Sequence, residues 1–181
     1  MKNYRLFKTA ISLFTAIFIA SIGFSQASSK DQKIVADAKH AKAEFIKADG
    51  PINNLFNTSY GYAIFPNVGK GGIGIGGAAG NGAVFQRGSL IGMTKMTQVS
   101  VGFQWGGQAY REVMFFETKA DLDRFKENNI ELSAQASAVA VTAGASANAR
   151  FINGALVFTQ TKGGLMYEAS VGGQKFKFRK I

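Results

Sequence analysis

The chain has 181 residues, 22 glycines, no cysteine, and 21 basic residues against 11 acids, for a formal charge of +10. Without cysteine it forms no disulfide, no thiolate metal site and no lipidated N-terminal cysteine. Charge of this sign draws an exported protein toward anionic lipid headgroups, acidic glycans or extracellular nucleic acid, and charge alone does not choose among them.

Lys2, Arg5 and Lys8 precede an apolar run over residues 10–24, and Ser25-Gln26-Ala27 puts small residues where a signal peptidase reads. The run is shorter than the roughly 20 residues of a membrane-spanning helix, so we expect a signal peptide over 1–27, cleaved after Ala27, and a periplasmic or extracellular product. That leader holds three of the 21 basic residues and no acid, which leaves 154 residues of net charge +7, the size of one domain over 28–181.

Ile34, Ala38, Ala41 and Phe45 recur at helical spacing and predict an amphipathic helix over 28–49, with Lys30, Lys33, Lys39, Lys42 and Lys47 around its stripe. Gly50-Pro51 ends it, a short helical turn fits 52–56, and Tyr60 opens a strand over 60–66. Residues 71–79 read as a strand running into Asn81-Gly82, the dipeptide that suits a type I′ hairpin, with 83–85 returning. Strands at 89–94, 98–106 and 108–116 follow. Thr118 then caps a second helix over 119–128 whose apolar contacts are Leu122 and Phe125. The alanine-rich stretch 132–149 alternates at Ser137, Val139 and Val141 and is read as strand. Strands at 155–161, 165–171 and 174–179, joined by Gly163-Gly164 and Gly172-Gly173, read as a three-stranded meander. The fold class expected is α+β: a glycine-rich, mostly antiparallel, curled and barrel-like sheet with an N-terminal amphipathic helix and a second helix near 119–128.

Gly72-x-Gly74-x-x-Gly77 matches the dinucleotide fingerprint in letters only, because a hairpin follows instead of a helix and no acid occurs between Asp49 and Glu112. Gly69-Lys70 lacks the Ser or Thr of a phosphate loop. We therefore expect no nucleotide and no cofactor, and read Gly72, Gly74 and Gly76 as a bare track on one strand face. Acid-free runs over 50–111 and 132–167 leave Glu112, Glu117 and Glu168 as candidates for a glycosidase-like pair, with solvated surface acids the plainer reading. His40 is the single histidine, which rules out a His-based metal site. No catalytic residue is assigned and the chain is read as non-enzymatic. The last strand places Lys175, Lys177 and Arg179 on one face and Phe176 and Phe178 on the other, with Lys180 at its end.

From Tyr60 on, the chain resembles the SYLF family of lipid-binding and yeast actin-patch-type domains. The residues that carry this are Tyr62-Ala63-Ile64-Phe65-Pro66, Lys70-Gly71-Gly72, Gly76-Gly77-Ala78, Gly80, Gly82, Ser100-Val101-Gly102-Phe103-Gln104-Trp105-Gly106-Gly107-Gln108 and Phe115-Phe116. Phe125, residues 131–136, Gly163-Gly164-Leu165 and Gly172-Gly173 continue it, so the resemblance covers the chain from about Asp37 to the end. It implies a lipid-binding module helped by a basic N-terminal helix, here 31–47, and no catalytic residue. Export puts actin and cytosolic phosphoinositides in doubt.

The function expected is thus an exported module that binds anionic phospholipid or a membrane surface, with nucleic acid not the favoured partner. Its expected lipid-binding residues are Lys30, Lys33, Lys39, Lys42 and Lys47 on the helix and Lys175, Lys177, Arg179 and Lys180 on the strand edge. Ile34, Phe45 and Ile46 add apolar insertion only if the stripe is free of the sheet. Two alternatives stand beside it: a small outer-membrane barrel, since eight strands of roughly ten residues fit the length, and an envelope hydrolase of unknown class.

Overall fold

The computed structural model describes residues 28–73, 75–101, 108–128, 138–162 and 171–181; the expected signal peptide lies outside them. Helix α1 (Ser29–Ala48) begins where Ser28 accepts a hydrogen bond from the Asp31 amide at 3.2 Å, and α2 (Ile52–Thr58) follows Gly50-Pro51. Strands β1 (Gly61–Ile73), β2 (Ile75–Gln86), β3 (Ser89–Val101) and β4 (Gln108–Phe116) come next. Helix α3 (Lys119–Lys126), β5 (Val139–Ala140), a 3-10 turn (Ala145–Asn148), β6 (Ala155–Thr161) and β7 (Gln174–Lys180) complete the described chain.

The strands form one sheet in the order β5-β6-β4-β1-β2-β3-β7, antiparallel except for the β5–β6 pair. The mixed α+β class is as expected. Among the described residues, however, the sheet is open, with β5 and β7 as its edges, and barrel closure is not seen.

Alternation along the strands feeds two cores, one on each face. Tyr62, Ile64, Ala83, Phe85, Val113, Phe115, Leu156 and Phe158 meet Ala38, Ala41 and Phe45 of α1. Ala63, Phe65, Val84, Met96, Met114, Phe116, Val157 and Phe176 meet Leu122 and Phe125 of α3 on the other face. β1 is a central strand yet contains Pro66, which donates no ladder hydrogen bond. Its register with both neighbours shifts there, as a bulge at a proline requires.

Several sequence expectations are corrected. Asn81-Gly82 is not a hairpin; it lies inside β2, and the chain reverses between Ile73 and Ile75. Gly82 is there for space, since a Cβ would lie 2.6 Å from the Ile64 carbonyl oxygen and 2.8 Å from the Phe65 ring. Gly72 pairs across this reversal with Gly76 and so forms no single-strand track. The two-residue turn is instead Arg87-Gly88, whose φ angles of 48° and 81° are both positive, as type I′ requires. Residues 89–94 and 98–101 belong to one strand, while 102–107 lie outside the described residues. Of the strand expected over 132–149, the described residues 138–149 hold only β5, while 132–137 are not described. The meander is also corrected. β6 lies against β4 and β7 against β3, far apart in the strand order, because Leu156 and Phe158 complete the α1 core while Phe176 packs on Phe65 and Phe125. The middle strand expected there, at 165–170, is not described, and Val171 is in no strand. The second helix ends at Lys126, and Asn128 leaves it with φ of 60°.

Asp49, fully buried after α1, accepts hydrogen bonds from the amides of Gly144 at 3.1 Å and Ser146 at 2.8 Å. The N-terminal helices are thereby tied to the 3-10 turn. Gly82→Ala should lower stability by roughly 1–3 kcal/mol, whereas Gly69→Ala, with no atom within 4 Å of its Cβ, should stay within about 0.5 kcal/mol of the parent. Urea unfolding at constant m-value measures both.

Candidate functional site

The expected site residues divide once the fold is known. The apolar stripe of α1 is spent on the sheet: Ala38, Ala41 and Phe45 are buried and Ile34 and Ile46 are half-covered. Apolar insertion by this stripe is therefore unavailable, and the helix docks on its own sheet. Lys39 and Lys47 are exposed, and Lys33 is paired with Asp37 at 2.8 Å. Lys42 is half-covered, its amine 4.7 Å from the Phe56 ring centre and 5.4 Å from that of Tyr62, and burial lowers its pKa.

The start of α1 and the edge strand β7 do come together. A cleft of about 330 Å³ is lined by Lys30 and Asp31 of α1, Lys95 of β3, and Lys177 and Arg179 of β7. Strand alternation creates it. Met96, Phe176 and Gln174 point into the inner core, so their neighbours Lys95, Lys175 and Lys177 must face outward, on the side where α1 lies. Successive cross-strand neighbours Asn67, Asn81, Lys95 and Lys177 form a polar row across four strands.

Two features of this row define its electrostatics. Lys95 and Lys177 stand directly opposite each other, a like-charge pair that costs stability, and neither has an ion pair among the described residues. The one acid in the cleft, Asp31, is already held by Arg179 at 2.7 Å, and this hydrogen bond keeps its carboxyl below the usual range. Val99, on the same outward face of β3, is 73% exposed. Lys175 opposite Thr97 and Lys180 at the end of β7 extend the basic edge. Lys95 was not singled out in the sequence. Its signal was the polar alternation of 93–99, but nothing in the sequence says that β3 neighbours β7.

Residues 97–180 match the model of the Ysc84 family, described as Las17-binding protein actin regulator. The second half of the chain is thus similar to the Ysc84 (SYLF) domain. A curated relative, Beta cell expansion factor A of Aeromonas veronii, is 28% identical over 123 residues, 67% of this chain and 47% of its own length. The chain thus spans about half the length of that relative. The Ysc84 family is one of binding domains associated with actin regulation and lipid binding. Lys175, Lys177, Arg179 and Lys180 fall inside the matched segment, and Lys95 and the helix lysines precede it.

Glu112, Glu117 and Glu168 are not brought together as a catalytic pair among the described residues. Glu117 is exposed just past β4, and Glu168 lies outside the described residues. Glu112 is fully buried in the inner core, where Gln174 donates to it at 2.9 Å. Burial raises its pKa to about 7 against the smaller opposing effect of that hydrogen bond, and its charge in turn adds to the upward shift that burial gives Tyr110.

The folded state therefore holds the Glu112 proton longer than the unfolded chain. Stability is unpenalised below about pH 4.5, falls as pH rises toward 7, and is level above it. The shift corresponds to roughly 3 kcal/mol. Glu112→Gln should flatten this slope between pH 4.5 and 7, read from urea midpoints across the range. A variant that keeps the parent's slope would show that another group is responsible.

Proposed function

We propose that the chain is an exported protein that binds anionic membrane lipid through the basic face made by the start of α1, β3 and β7. The observation that carries this reading is the Lys95–Lys177 pair: two unneutralised cations held opposite each other in a cleft with Lys30 and Arg179. Such an arrangement loses stability until an anion arrives, and each basic residue near an anionic bilayer contributes up to about 1 kcal/mol. Exposed Val99 supplies an apolar contact beside the charges. The family's association with lipid binding supports the same reading. Its actin association is set aside by the expected export, which places the protein with phosphatidylglycerol, cardiolipin or lipopolysaccharide. The coverage of both sheet faces by helices favours a surface-bound domain over a lipid-embedded barrel, whose outer band must face lipid.

Sedimentation with phosphatidylglycerol vesicles tests the reading. Lys95→Glu with Lys177→Glu should weaken binding at least tenfold, about 1.4 kcal/mol. Lys119→Glu on α3 should leave it unchanged, phosphatidylcholine vesicles should bind neither protein, and binding should weaken steeply with salt. Parent-like binding by the double variant would remove this face from the site. Recovery of a chain beginning at Ser28 in the soluble periplasmic fraction tests the export, and recovery only in detergent would favour the barrel.

A further inference from the structure

A second cleft, of about 430 Å³, opens at the other end of α1, between that helix, the α2–β1 junction and the β2–β3 turn. It shares no residue with the basic face. Two cations line it from different segments, Lys42 and Arg87, and the buried Ser59 lies in its wall.

Each donor lacks a conventional partner among the described residues. Lys42 has no carboxylate within ion-pair range; the faces of Phe56 and Tyr62 are its company, and burial already costs it some of its charge affinity. Arg87 likewise has no acid, and its guanidinium lies 5.3 Å from the Tyr60 ring centre. Ser59 is 8% exposed, and its Oγ has no hydrogen-bond partner. A buried hydroxyl left unpaired is unfavourable, and the half-covered Lys42 amine interacts strongly with an anion that replaces its water, with the exposed Arg87 beside it. The cleft's one acid, Glu117, is exposed.

We propose that this cleft binds the phosphate group of a small phosphate-bearing ligand. Donors arriving from different segments suit a tetrahedral group with three or four acceptor oxygens better than a planar carboxylate with two. The guanidinium supplies a planar fork for two phosphate oxygens, and the ammonium supplies a compact point charge. The volume accommodates a headgroup or a small metabolite, within the usual range for ligand pockets. The ligand is either a free phosphate ester or a lipid headgroup.

The test uses inorganic phosphate, glycerol 3-phosphate and phosphatidic acid vesicles, with binding followed by amide NMR at Ser59, Tyr60 and Gly88 and by sedimentation. Lys42→Met keeps an unbranched side chain over the two rings, and Arg87→Asn suits a turn with positive φ, so both variants should melt as the parent does. Each should weaken glycerol 3-phosphate binding at least tenfold, and Glu117→Gln should strengthen it two- to threefold. Lys95→Glu with Lys177→Glu should leave it unaltered, which separates this site from the basic face. Vesicle binding lost with Lys42→Met identifies a lipid headgroup; binding of the soluble ester alone identifies a free ligand. Absence of saturable shifts at Ser59, Tyr60 and Gly88, or parent-like affinity in both variants, overturns the proposal.

Discussion

Everything in this molecule follows from a sheet that has to be covered on both faces. β1, with neighbours on either side, sends Tyr62 and Ile64 toward α1 and Ala63 and Phe65 toward α3. Fully burying an aromatic or aliphatic side chain stabilises by about 1.5–3 kcal/mol, so two such cores outweigh the entropy of fixing long strands. The apolar stripe of α1 is consumed by this requirement. Its lysines are left to the helix flanks, and a basic face arises where α1 begins and the edge strand β7 remains uncovered.

The cost of that surface is visible in the ladder itself. Lys95 opposite Lys177 and Val99 in solvent are both unfavourable for an isolated domain. Met96 and Phe176, one position along, are buried and fix the register. The inner core therefore holds the outward charges in place, with no local interaction needed to gather them.

Local sequence pattern was sufficient to recognise α1 and α3, the capping role of Thr118 and the two faces of β7, because each depends on residues within a few positions of one another. Pairing depends on residues far apart, and there the reading failed. Asn81-Gly82 has the best turn chemistry in the chain, yet Gly82 answers to the space beneath Phe65, and the plainer Arg87-Gly88 makes the turn. The expected site was half legible for the same reason. The basic edge of β7 could be read from six residues, whereas Lys95 joins it only through a strand order that no local pattern encodes, and Lys42 stands apart from that edge with Phe56 and Tyr62 beneath it.

The tie from Asp49 also bears on the order of assembly. The hairpins joining β1, β2 and β3 close short loops, while the Asp49 hydrogen bonds join residues 95 and 97 positions apart. Such contacts form late, since long loops must close before they reward the chain. α1 meanwhile is an amphipathic segment whose apolar stripe stays uncovered until β1 and β2, made after it in the chain, form beneath it. During that interval the nascent chain presents a surface for chaperone capture that the finished protein no longer has.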